Sequence, residues 1–352
     1  MGLPIVLHRP RSTNIPGTRR LKSILLGVTG ALGSRGRGGL RLGVLSVFDP
    51  WDSPLCVCPF KYSLNPYTGC SIGCRYCYAT AYIGVKPSTP KRSLVRRLER
   101  DLGRIPPGSL VNIGTSSDPY PPEEEELGLT RVALEVLTPR GYRLLITTKG
   151  TLYAWRDLDI LSRANAAVTP SITGLDGNTL LRVVEPGAPG QGERIEAAAA
   201  AVKAGVPVGV RVDPVIPYVN DDPYELRELV AKLAMAGVRF IVTSTYKARP
   251  DNLSRMRRAL GAEAEKLYRL YRERGVYMHG YIYLPEDLRR SLLKPVIEEA
   301  ARLGLEYATC REGFTGRTWF KAGSCDGSHL IPTRVRPERA LALERWMGGE
   351  GS

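Results

Sequence analysis

The stretch Tyr62–Thr80, Y-S-L-N-P-Y-T-G-C-S-I-G-C-R-Y-C-Y-A-T, constrains this chain more than any other. Its cysteines, Cys70, Cys74 and Cys77, have three residues between the first pair and two between the second. Three thiolates suit iron, and a 4Fe-4S cube has four irons, so three cysteines leave one iron open to a ligand that is not protein. A zinc site would want a fourth ligand, usually as a C-x-x-C with a distant second pair. A disulfide reading needs an oxidising compartment, for which the sequence offers no support. Cysteines gathered by chance in a core would not bring Gly69, Gly73 and the Tyr76/Tyr78 pair with them.

The run N-P-Y-T-G-C-x-x-x-C-x-Y-C-Y-A resembles the radical S-adenosylmethionine (SAM) superfamily, and within it the spore-photoproduct-lyase-like branch. The resemblance implies an α/β fold, a partial (β/α)6 TIM-like barrel, with a 4Fe-4S cluster on Cys70, Cys74 and Cys77. The open iron of that cluster binds the amino and carboxylate groups of SAM. An electron transferred to bound SAM breaks a carbon–sulfur bond, giving methionine and a 5'-deoxyadenosyl radical that abstracts hydrogen from an unreactive carbon. The protein's part is placement and exclusion of water. A donor such as ferredoxin or flavodoxin is the implied redox partner. The chain departs from spore photoproduct lyase itself, which carries a cysteine hydrogen donor just before the Ser-Asp of its second-strand motif. Gly114, Thr115 and Ser116 stand in that vicinity here. Spore-type thymine-dimer repair is therefore not expected, unless Tyr120 or a distant cysteine donates hydrogen instead.

With 352 residues the chain can bury a large core, as one barrel or as a domain with extensions. No apolar run is long enough to span a bilayer, and Met1–Pro10 lacks a secretory apolar region and cleavage site, so a cytoplasmic protein without membrane attachment is expected. The formal charge of +15 favours an anionic partner, of which DNA or RNA is the commonest large one. Residues 1–41 carry eight Lys or Arg and no acid, and Gly27–Gly43 is glycine-rich. Such a segment has little to bury and can drape over a phosphate backbone, or serve as an ordinary basic tail. The expected division is a basic extension with a C-x-C over 1–61, the barrel core over 62–250, and a C-terminal extension over 251–352.

Short apolar runs alternate with helical patterns through the core. Strands are expected at Leu45–Phe48, Leu110–Gly114, Arg143–Thr148, Ala167–Ile172, Val208–Val212 and Arg239–Thr243. Helices are expected at Ser93–Leu102, with Ser93 as its cap, and at Glu123–Leu137, Trp155–Arg163, Glu193–Ala204 and Tyr224–Ala236. The strand leading into the cysteine loop and the five from Leu110 onward make six βα units. A long helix Leu253–Arg274, a strand Val276–Leu284, a helix Pro285–Leu303 and a strand Leu305–Ala308 follow, completing the barrel or packing beside it. Arg336–Trp346 reads as a last helix.

Ligands of parallel barrels sit at the C-terminal strand ends. There, Thr115, Ser116 and Asp118 offer acceptors for the SAM ammonium, though an Asx or ST turn would use the same residues. By the resemblance, Lys149 pairs with the SAM carboxylate, Ser171 reaches the methionine or ribose, and the backbone of Tyr76 approaches the adenine, its ring shielding the cluster. Arg211 and Asp213 share a strand face and either bind SAM or satisfy each other. Cys56, Cys58, Cys310 and Cys325 are left over; joined, they would close four thiolates round zinc or a second iron–sulfur cluster. His279 is expected inside a strand as a packed residue, and Tyr277, Tyr281 and Tyr283 along one strand face, as packing or as a stacking surface for a base. Three functions compete: a radical SAM enzyme on nucleic acid, one on a peptide or small molecule, and a non-catalytic iron–sulfur protein that binds nucleic acid.

Overall fold

The computed structural model describes residues 41–48, 53 and 55–336. All but the last residue of the basic arm, and all but the first of the helix expected over Arg336–Trp346, lie outside them.

Short β-branched and aliphatic runs make the strands, the central ones buried on both faces, as a parallel sheet covered by helices requires. They are β1 (Leu45–Val47), β2 (Tyr62–Leu64), β3 (Leu110–Ile113), β4 (Arg143–Thr148), β5 (Ala166–Pro170), β6 (Gly209–Val215), β7 (Phe240–Thr245) and β8 (Glu306–Thr309). Every residue of β3, β5 and β7 is buried. One sheet has the order β1-β2-β3-β4-β5 and the other β6-β7-β8, and the parallel bridges Val168–Val208 and Ser171–Arg211 tie β5 to β6. Strands β2 to β8 therefore run as one parallel arc, the six expected units with β8 as a seventh strand beside β7. Of these eight strands only β1 is antiparallel, on the edge against β2.

The covering helices follow their apolar spacing. Pro223–Met235 buries Leu226, Leu229, Val230 and Leu233, one stripe at helical period. Asp222 caps it by accepting from the amides of Tyr224 and Glu225, with Pro223 in the first turn. Among the described residues no helix is long and apolar enough to cross a membrane.

Several expected elements are broken. The helix over Glu123–Leu137 is two, Glu124–Leu127 and Leu129–Leu137, because the buried Glu124 carboxylate turns back to take the Thr130 amide at 3.0 Å. Leu253–Arg274 divides into Pro250–Leu260 and Ala264–Arg274 about a 3-10 turn, and Trp155–Arg163 is replaced by the single turns Leu152–Trp155 and Leu158–Leu161. The strand Val276–Leu284 is a hairpin, Val276–Met278 against Tyr281–Tyr283. His279 and Gly280 form its turn at φ 49° and 83°, the two positive values of a type I′ connection. Ser93 has φ 52° and its side chain makes no cap.

Candidate active site

The cysteine loop leaves the C-terminal end of β2 and is pinned through its backbone from both sides. Gly69 has φ +76°, and a Cβ there would lie 2.2 Å from the Pro87 carbonyl, so only glycine allows the Cys70 amide to reach the Lys86 carbonyl at 2.9 Å. The Arg75 amide donates to the Val184 carbonyl at 2.8 Å. Arg255 donates to the Cys77 carbonyl at 2.7 Å, to Thr80 Oγ1 at 2.7 Å and to the Arg75 carbonyl at 3.3 Å. Asn252 donates to the Tyr76 carbonyl at 3.0 Å. That carbonyl, expected near the adenine, therefore already has a protein donor. The Tyr76 ring is buried and its hydroxyl donates to Glu185.

Cys70, Cys74 and Cys77 are unpaired by disulfides and line a cavity of about 230 Å³. Burial pushes the Cys70 thiol up to about 11, and Cys74 is raised further for the same reason. Among the described residues no three Cys, His, Asp or Glu side chains are gathered for a single metal ion. A 4Fe-4S cube asks for something different: three thiols on one cavity wall, each for a separate iron, held by a loop whose backbone is fixed. The residues present fit that group.

The same cavity is lined by Thr115, Ser116, Asp118, Lys149 and Ser171 from the tips of β3, β4 and β5, and by Arg211 from within β6. Asn65, just past β2, shapes the first of these tips: its Oδ1 accepts from the amides of Ser116 and Ser117 at 3.0 and 3.2 Å, and its Nδ2 donates to Thr115 Oγ1 at 3.2 Å. Asp118 accepts from Thr148 Oγ1 at 2.6 Å, the Lys149 amide at 2.7 Å and the Tyr120 amide at 2.9 Å. Its carboxylate thus anchors the β3 and β4 tips to each other, a role beyond the local Asx turn that its bond to the Tyr120 amide closes. The Lys149 ammonium lies 5.5 Å from the Tyr76 ring centroid. Burial works against its charge, but Cys74 and Glu185 outweigh that and raise its pKa, so it stays an ammonium. Arg211 pairs with Asp213 at 2.5 Å, and Ser244 also donates to Asp213.

Sequence reasoning passed over Asn65, Glu185, Arg194 and Asn252. Asn65 follows a strand end and was open to the same rule that found Thr115; the buried Arg194–Glu185 pair at 2.6 Å has no local signal. Arg255, one of the cations behind the +15 charge, is spent on the loop, and Arg249 donates to the Gly280 carbonyl at 2.9 Å. Tyr120 does not line the cavity; it is buried with its hydroxyl on Asp157 at 3.0 Å, so it is no candidate hydrogen donor. Cys56, Cys58 and Cys310 line the cavity, and Cys325 lies behind Cys58. His329 is held by Ser324 at 2.8 Å and Glu306 at 3.0 Å.

The family model of the Radical SAM superfamily matches residues 64–230. An uncharacterized protein of Mycobacterium bovis is 31% identical over 263 residues, 70% of this chain and 76% of its own. One of Methanocaldococcus jannaschii is 29% identical over 181 residues, covering 48% and 65%. Among solved structures, spore photoproduct lyase complexed with dinucleoside spore photoproduct matches at a TM-score of 0.55 and 18% identity, over 78% of this chain and 79% of that one. That likeness is one of fold.

Proposed function

Because this chain belongs to the radical SAM superfamily, we propose that it turns the chemistry of that superfamily on a nucleic acid, by repair or base modification. One observation carries the reading: the three loop cysteines and the polar strand tips expected to face SAM line a single cavity. When bound there, a 4Fe-4S cluster with SAM supplies one-electron cleavage of the sulfonium carbon–sulfur bond and, through it, a hydrogen-abstracting 5'-deoxyadenosyl radical.

The residues of the chain bind, orient and shield. Cys70, Cys74 and Cys77 hold three irons. Thr115 and Ser116 accept from the SAM ammonium, with Asp118 fixing their loop. Lys149 takes the carboxylate, and Ser171 and Arg211 contact the methionine or ribose portion, Arg211 steadied by Asp213. Tyr76 and Tyr246 close the apolar side against water.

Support for nucleic acid comes from the +15 charge and from a layer of guanidinium and aromatic groups at the cavity. Arg311 lies 5.2 Å from the Tyr78 ring and 4.6 Å from the Tyr281 ring, and Tyr78 and Tyr281 meet edge to face at 5.8 Å. Such faces stack bases while the charge meets phosphate. Spore photoproduct lyase, solved in complex with dinucleoside spore photoproduct, has a similar fold. The absence of cysteine from Gly114–Asp118 directs the reading to a reaction other than spore-type repair. The test is anaerobic incubation of the reduced protein with SAM and pools of DNA, RNA or peptide. 5'-Deoxyadenosine above background with DNA or RNA supports the proposal. Stimulation by peptide alone overturns the substrate class, and no 5'-deoxyadenosine at all overturns the enzyme.

A further inference from the structure

The seven cysteines of the chain fall into two groups, six of them lining one cavity and Cys325 set behind Cys58. The second group comes from opposite ends of the described chain. Cys58 Sγ lies 3.5 Å from Cys325 Sγ, across 267 residues of sequence. Cys56 is within hydrogen-bonding reach of Cys58. Cys310, at the end of β8, packs with Cys58 and Cys325 on the same apolar cluster around Phe240 and Val242. We propose that Cys56, Cys58, Cys310 and Cys325 hold a second iron–sulfur centre that opens onto the cavity of the first.

Three features separate this group from buried cysteines that act as small hydrophobes. First, its two main segments are locked in register by a buried ion pair, Lys61–Asp326 at 2.5 Å, three residues after Cys58 and one after Cys325. Asp326 is itself oriented by the Ser328 hydroxyl at 2.7 Å and amide at 3.0 Å. A buried pair of this kind contributes specificity of arrangement more than stability. Secondly, cations lie beside two of the four thiols: Lys61 acts on Cys58, and Arg211 bonds Cys310 with Arg311 beside it. Buried thiolates need such neighbours, whereas buried thiols do not. Thirdly, thiols far apart in sequence converge, Cys58 and Cys325 lying 3.5 Å apart without a disulfide, and that no three are spaced for one ion holds equally for Cys70, Cys74 and Cys77. Sulfide-bridged irons accept a wider set of four thiolates than a tetrahedral zinc does.

Arg211 joins the two groups, since it faces the expected SAM position and touches Cys310. The second centre therefore forms part of the wall that meets substrate. As metal ligands, its cysteines are not free thiol hydrogen donors.

The test counts metal in the full chain and in a Cys70→Ala/Cys74→Ala/Cys77→Ala variant, both reconstituted anaerobically and checked for folding by circular dichroism. The expected result is about two to four irons with matching sulfide and visible charge-transfer absorption in the variant, and about four more in the parent. Cys58→Ser/Cys325→Ser should lose only the smaller share and keep the spectral response of the first centre to SAM. A folded triple variant without iron overturns the proposal, as does one zinc per chain in its place or a Cys58–Cys325 disulfide in protein prepared without oxygen. Because the triple variant lacks the first centre, these outcomes are independent of the SAM reading.

Discussion

Replacing Glu185 by Gln tests whether the SAM-facing side of the cavity is held by charge or by shape. Glu185 is only 1% exposed, and its carboxylate accepts from Tyr76, from Thr173 at 2.9 Å, from Gln191 at 3.2 Å and from Arg194 at 2.6 Å. Burial alone would raise its pKa, but Arg194, Lys149 and these donors overcome it and lower the group from 4.5 to about 2. A carboxylate whose pKa falls on folding stabilises the protein above its unfolded value, and that stabilisation disappears as pH drops towards the folded one. The size of the shift corresponds to about 3 kcal/mol at neutral pH. Glu185→Gln keeps the volume and removes the charge, leaving Arg194 and Lys149 without their buried anion. A loss of about 3–5 kcal/mol is typical of breaking one side of such a pair. Urea unfolding of parent and variant, both free of cofactor, should differ by about 3 kcal/mol at neutral pH. The gap should close as pH falls from 4.5 towards about 2. A neutral-pH gap under about 1 kcal/mol, or one that does not change with acid, would refute the argument that charge dominates here.

Further outcomes follow from the same geometry. Lys149→Met should weaken SAM binding by at least about tenfold, the value of one charged hydrogen bond, with the iron content unchanged; equilibrium dialysis and an iron assay on one sample separate the two. Gly69→Ala places a Cβ 2.2 Å from the Pro87 carbonyl at a φ of +76°, so it should cost at least about 1–3 kcal/mol and lower iron uptake, read by thermal unfolding and reconstitution. Arg255→Ala removes the donor to the Cys77 and Arg75 carbonyls and should speed the loss of iron to a chelator, measured as a rate, with binding of DNA or RNA little changed. If nucleic acid is the partner, its affinity should fall linearly with salt on logarithmic axes, with a slope near the number of phosphates met.

The alternation of apolar runs and helical stripes was enough to read six parallel strands, because burial on both faces writes itself as continuous Val, Ile and Leu. The elements misread are those decided by contacts from elsewhere. Nothing local to Glu124 says that its carboxylate will cap Thr130 and break a helix, and His279–Gly280 makes a hairpin turn without the usual Asn-Gly signal. Site residues behave likewise. That Thr115 and Lys149 would line one cavity was legible because strand ends in a parallel barrel converge, and Arg211 joins them from within β6. Asp118 was legible as a polar strand tip, but its engagement with Thr148 and Lys149 was not.

Net charge is the quantity the sequence states most plainly and explains least. Of the cations behind the +15, Lys61, Arg194, Lys247 and Arg289 are buried and answered by Asp326, Glu185 and Glu312, so they contribute nothing to a surface that attracts phosphate. Arg255 is only 10% exposed and serves the cysteine loop. The four buried cations stand against three anions, so setting them aside leaves the net charge nearly as the composition states it, and what the structure changes is which cations stand where a partner can meet them. Arg311 is the instructive case: it is buried against Tyr78 and Tyr281 on the cavity wall, where a guanidinium between aromatic faces can order a base but adds little long-range attraction. On this reasoning, Arg311→Lys, which keeps the charge and removes the planar face, should leave the salt slope of nucleic-acid binding unchanged while lowering substrate-stimulated formation of 5'-deoxyadenosine. An equal fall in both would mean that charge alone recruits the substrate, and that the aromatic layer only packs.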